Sequence, residues 1–145
     1  MPNIAGKLFD IVEDAESKLK KLTEEEWNNS SDPGKWNKKE ILGHLIDSAA
    51  NNHQRFVRAQ YGDETAISYN QNAWVELQCY KKAPAKNIID LWIAYNRQLA
   101  YIVSQIPEEK LQAECYVEPG KPLTIENVYN DYLSHILHHL KQVVG

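Results

Sequence analysis

Asn130-Asp131-Tyr132-Leu133-Ser134-His135-Ile136-Leu137-His138-His139-Leu140 is the stretch on which the reading of this chain turns. Apolar residues at 132, 133, 136 and 140 recur at three- and four-residue steps, the period of a helix with one buried stripe. At roughly 100° per residue, His139 stands about 40° round from His135 and one turn above it, while His138 lies about 60° round on the other side. His135 and His139 therefore share a face, and His138 flanks them. A helix presents two nitrogen ligands to one metal ion at this spacing. The same spacing also occurs on solvated helix faces, so a third ligand from elsewhere is needed to give it meaning.

Working outward, Thr124 caps this last helix, which runs to about Val144. The preceding segment, Pro107 to Pro122, contains Glu118-Pro119-Gly120-Lys121-Pro122 and has room for a short extended piece but no long helix. Before it, Ile88, Trp92, Tyr95, Leu99, Ile102 and Ile106 predict a helix from about Ala85 to Gln105, closed by Pro107. Residues 61–84 are the least regular part, with a short helix over Asn72–Leu77 inside a long connection. Asn37 followed by Glu40 opens a helix reaching about Gln60, its apolar face formed by Ile41, Leu42, Leu45, Ile46, Ala49, Phe56 and Val57. Thr23-Glu24-Glu25-Glu26 has the form of a capping box for a short turn through Trp27, ahead of the loop at Asp32-Pro33-Gly34. Ile4 to Lys21 reads as an amphipathic helix through Leu8, Phe9, Val12, Ala15 and Leu19. Four long helices and no sustained strand pattern predict an all-α, four-helix bundle, one domain spanning residues 1–145.

The third histidine lies on the second long helix. His44 falls among Ile41, Leu45 and Ala49, facing inward, whereas His53, nine residues on, points the opposite way. A core imidazole without a partner costs on the order of 1–3 kcal/mol. Three of them on facing stripes call for a divalent metal, zinc or nickel, held by His44, His135 and His139 with one or two positions open. Asp47 and Asp131, each about one turn from a histidine, suit either a solvated face or a catalytic role, orienting an imidazole or acting as general base. Asn51 and Tyr132 are placed to line the same pocket. The four tryptophans read as packing residues, Arg55 and Arg58 as an exposed face, and Cys79 and Cys115 as inert free thiols of a reducing compartment.

The chain has 145 residues, 43% hydrophobic and 25% charged, with a formal net charge of −4. Without a basic stripe, nucleic acid and anionic membrane are excluded as expected partners. The first residues form no apolar signal core and no run of about 18 apolar residues occurs, so a cytoplasmic, soluble protein is expected.

Lys35-Trp36-Asn37-Lys38-Lys39-Glu40-Ile41-Leu42-Gly43-His44-Leu45-Ile46-Asp47-Ser48 resembles the W-S/T-x-x-E-I-L-x-H-L-x-D opening of the second helix in the DinB/YfiT-like superfamily. His135-Ile136-Leu137-His138-His139-Leu140-Lys141-Gln142-Val143 is similar to that family's H-x-x-H-H-x-G-Q-I/V ending. Tyr69 to Tyr80 and Leu91 to Leu99 also look like its connection and third helix. The resemblance implies an up-down-down-up bundle with the 61–84 connection crossing it, and a metal triad at His44, His135 and His139. It further implies a metal-dependent hydrolase or a thiol S-transferase using a low-molecular-weight thiol cosubstrate such as bacillithiol, mycothiol or glutathione, acting on a small-molecule substrate as a homodimer. The sequence departs from the family pattern at Lys141, where Gly is common, and at Asn37, where Ser or Thr is usual. The alternative is a non-enzymatic bundle whose triad binds metal for stability or stays vacant, and which acts by dimerisation or small-ligand binding.

Overall fold

A computed structural model of the protein describes residues 4–145; Met1, Pro2 and Asn3, which begin the stretch read as lacking a signal core, lie outside the described residues. The four long helices are α1 (Ile4–Lys21), α3 (Lys38–Gln60), α5 (Ala85–Ser104) and α6 (Ile125–Val144). Between them lie the short helices α2 (Glu24–Asn28) and α4 (Gln71–Leu77), and a hairpin of β1 (Glu114–Glu118) and β2 (Lys121–Thr124). Among the described residues no helix is long and apolar enough to cross a membrane.

Local chemistry sets the helix starts. The Asn37 side chain accepts the Glu40 N–H at 2.9 Å while Glu40 Oε1 accepts the Asn37 N–H at 3.0 Å, a closed capping box. Thr23 and Glu26 form the same box ahead of α2, and the Thr124 hydroxyl accepts the Asn127 N–H ahead of α6. The apolar stripe of α1 is narrower than the sequence suggests: Leu8, Val12, Ala15 and Leu19 are buried, but Phe9 is 48% exposed. Phe9 sits about 100° from Leu8 and so turns out of the stripe. Val57, next to buried Phe56, leaves the face of α3 for the same reason.

The bundle is all-α in class, and its helices run up-down-down-up. α1 and α3 are diagonal to each other, each packed on both α5 and α6. The Tyr129 hydroxyl donates to the Ile4 carbonyl at 2.5 Å, pinning the start of α6 beside the start of α1. Tyr80, just before α5, lies against Gly43 near the start of α3; a methyl on Gly43 would overlap the tyrosine ring. α3 and α5 therefore run parallel, and the 61–84 connection must cross the bundle lengthwise to join them. Pro107 to Pro122 supplies the extended piece: β1 and β2 pair antiparallel, Glu114 opposite Thr124 and Cys115 opposite Leu123, with Gly120 at φ 71° in the turn.

Candidate metal centre

Because α3 and α6 are antiparallel neighbours, residue 44 near the start of one meets residues 135 and 139 in the second half of the other. One ligand nitrogen from each of His44, His135 and His139 can be chosen so that all three lie within 4.8 Å of one another. The Nε2 atoms of His44 and His135 are 3.0 Å apart. Two nitrogens bound tetrahedrally at about 2.0–2.1 Å from one ion would stand roughly 3.3 Å apart, so this donor set fits a divalent metal with little adjustment.

The protonation states agree with that fit. Burial, reinforced by the neighbouring imidazoles, pulls His44 down to about 3 and His135 to about 4, so both are neutral near pH 7 and hold a lone pair for a ligand bond. His139 Nδ1 lies 2.8 Å from Gln142 Oε1. With that amide oxygen accepting, the proton is on Nδ1 and Nε2 is left free. Trp36 closes the other side of His44, their ring centroids 5.0 Å apart. His138 is exposed, and His53 faces α5, where its Nδ1 meets the Tyr95 hydroxyl at 2.9 Å.

Two cavities flank the triad. The larger, about 660 Å³, is bordered by His139, Trp36, Lys38 and Gln142. The smaller, about 270 Å³, is bordered by His135, Tyr132, Asp131, Asn52 and Arg55. Asp131 is exposed on this second wall. Tyr132 also lines it, with its hydroxyl donated to Asn96 Oδ1. Asp47 and Asn51 are buried and border neither cavity. Asp47 Oδ1 accepts from Gln78 Nε2 and from the Tyr80 hydroxyl, both at 2.7 Å, and Asn51 donates to the Asp47 carbonyl at 2.8 Å. Asp47 thereby ties the end of the crossing connection to α3, and burial raises its carboxyl above the usual range. Its Oδ2 and the Nδ1 of His44, a turn apart, are buried without a hydrogen-bond partner among the described residues.

Three site residues escaped the reading of the sequence. Trp36 was assigned to packing, yet it covers His44 and borders the larger cavity. Gln142 lay inside the quoted motif without a role. Arg55 was assigned to an exposed face; it is half-buried and borders the smaller cavity. Helical phase held the signal, since position 55 falls eleven residues after His44 and returns to within about 20° of it.

Residues 12–143 match the family model of the DinB superfamily. The chain is 24% identical over 143 residues to YfiT of Bacillus subtilis, covering 94% of this chain and 80% of that protein, which is named for an inferred metal-dependent hydrolase activity. A second relative with a name of the same kind, BH0277 of Halalkalibacterium halodurans, is 24% identical over 109 residues, 74% of this chain and 63% of its own length. Among solved structures, that of B. subtilis YfiT superposes with a TM-score of 0.81 at 23% identity, over 96% of this chain and 83% of that one. A mycothiol-dependent maleylpyruvate isomerase also superposes at 0.81, with 12% identity, over 99% of this chain and 61% of the isomerase.

Proposed function

The chain belongs to the DinB superfamily, and from that premise we propose that it is a metal-dependent enzyme whose His44, His135 and His139 hold one zinc or nickel ion and whose cavities bring a thiol or a water against a small electrophile. The observation that carries this reading is the meeting of three imidazoles from positions up to 95 residues apart on two helices, two of them kept neutral by burial. Such an ion, when bound, supplies Lewis acidity and lowers the pKa of a thiol or water at its open position.

The protein's own residues do the rest. With its amide oxygen accepting, Gln142 would hold the proton of His139 on Nδ1, and the Trp36 ring packs against that of His44. Of the two carboxylates singled out in the sequence, Asp131 borders the cavity lined by His135, which supports it as the group that takes the proton the nucleophile gives up. Asp47 acts one layer back, as a positioning residue that anchors Tyr80 and Gln78 to α3. Thiol transfer is favoured over hydrolysis by the thiol-dependent isomerase among the structural relatives, and hydrolysis by the names of the closer sequence relatives.

Turnover separates the two. Zinc- or nickel-loaded protein is mixed with 1-chloro-2,4-dinitrobenzene or with p-nitrophenyl acetate, each with and without cysteine, and uncatalysed rates are subtracted. Consumption that requires cysteine and disappears in His139→Ala supports transfer. Consumption of the ester without cysteine supports hydrolysis. Rates unchanged by His139→Ala contradict a metal-dependent reaction of either kind.

A further inference from the structure

Arg55 is the one cationic side chain on the wall of the smaller cavity, and everything that holds it is electrically neutral. Its Nε and Nη2 donate to the Ile67 carbonyl, and its Nη1 donates to Asn52 Oδ1 at 3.2 Å. These bonds use three of the guanidinium's five N–H donors, leaving one on each terminal nitrogen for a further acceptor. No acidic side chain lies within ion-pair distance among the described residues. Asp131, the only carboxylate among the residues bordering the cavity, takes part in none of the salt bridges found among the described residues. The ionisable groups that act on the guanidinium are Tyr69 and Cys115, both pushed up by burial and so uncharged at pH 7.

The guanidinium is also held in place before any ligand arrives. Asn52 Nδ2 is fixed on the Ser48 carbonyl at 2.8 Å and on its hydroxyl at 3.2 Å, so one turn of α3 positions the next. The bond from Arg55 back to Asn52 shows its side chain reaching one turn toward the His44 end of the helix. A half-buried cation that faces only neutral acceptors is poorly compensated, and an incoming anion is what compensates it. One guanidinium with no lysine beside it matches the charge and shape of a carboxylate better than those of a phosphate.

We propose that the cavity beside His135 is a carboxylate-recognition subsite, in which Arg55 grips the carboxylate of a small substrate or cosubstrate whose reacting end lies at the three-histidine site. The proposal rests on the metal-centre reading for the position of the reacting end, and on Arg55 alone for the carboxylate.

Cobalt-substituted protein is titrated with ω-mercaptoalkanoates of three to eight carbons and with the matching amides, following sulfur-to-cobalt absorption. At the best chain length the acid is expected to bind about tenfold more tightly than its amide. The ratio falls to about one in Arg55→Gln and is partly restored in Arg55→Lys. Because Arg55 also tethers the connection through Ile67, simple loosening would weaken acid and amide alike, so the ratio is the readout. Equal affinities in wild type, or an acid preference that survives Arg55→Gln, overturn the subsite even while sulfur reaches the metal. Absence of the absorption band with every thiol contradicts thiol binding at the metal instead. The subsite is then read on zinc-loaded, ¹⁵N-labelled protein from the Arg55 Nε–H resonance: movement with hexanoate but not hexanamide upholds it, and no movement overturns it. Hexanoate competing against the mercaptoalkanoates also shows whether a carboxylate without sulfur occupies the same place, as it would if the anion belongs to the electrophile.

Discussion

α1 and α5 on one side of the bundle, and α3 on the other, bury side chains of different kinds. The buried residues of α1 are all apolar, and those of α5 include a single polar one, Asn96, which donates to the Trp92 carbonyl and accepts from Tyr132. α3 buries Lys39, His44, Asp47, Ser48, Asn51 and Asn52 alongside its leucines. Among the described residues, two of the three buried polar side-chain atoms left without a partner belong to it, the third being Trp92 Nε1 on α5. Burying polar groups costs stability unless they are paired, so the α1–α5 side, with its apolar interior, is the more favourable to stability, and α3 the side where polar groups have to be accommodated.

The largest effect should come from the apolar side. Leu99 on α5 is fully buried, and Leu99→Ala should lower unfolding free energy by about 2–5 kcal/mol in a urea titration of the metal-free protein. The folded fraction should still bind one metal per chain. Metal binding lost while the fold persists would break the division between the two sides.

Gly43→Ala is a smaller test on the other side. The new methyl collides with the Tyr80 ring, whose hydroxyl is held by Asp47, and the cost should be roughly 1–3 kcal/mol. Tyr80→Phe removes the tether and should make Gly43→Ala milder in the double variant. Strictly additive losses would mean that Asp47 does not hold the ring in place.

Asp47→Asn should have the smallest effect, and it has a sign. The amide oxygen can still accept from Tyr80 and Gln78, but the buried charge is gone. Burial raises the folded-state pKa of Asp47 above its unfolded value near 3.8. Its contribution is therefore most favourable below that unfolded value and is lost as pH rises through the raised folded one. Melting temperatures of metal-free protein measured from pH 4 to 7 should show Asp47→Asn gaining on wild type as pH rises. A difference that does not change with pH would contradict a strained carboxylate.

Features set by local chemistry were legible in the sequence. Asn37 with Glu40 marked the start of α3, Thr124 that of α6, and the apolar stripes marked all four long helices, because caps and periodicity act within a few residues. The histidines were legible as a spacing, and the bundle brings them to one point. The hairpin was harder to see: its two strands are short, and its register is fixed by pairing across the Gly120 turn rather than by any alternation long enough to recognise. Arg55 was misread because an arginine on the far half of an amphipathic helix suggests solvent. Its burial depends on the Ile67 carbonyl, brought to it by a connection of irregular geometry.

The direct measurement of the central claim is metal content by elemental analysis of protein purified without a histidine tag, wild type beside His44→Ala and His139→Ala, each first checked for native helicity. About one zinc or nickel per chain in the wild type, lost in both variants while the fold remains, is the result expected of a site shared between α3 and α6. No metal in the wild type after incubation with zinc and nickel, or full occupancy retained in either variant, would contradict it.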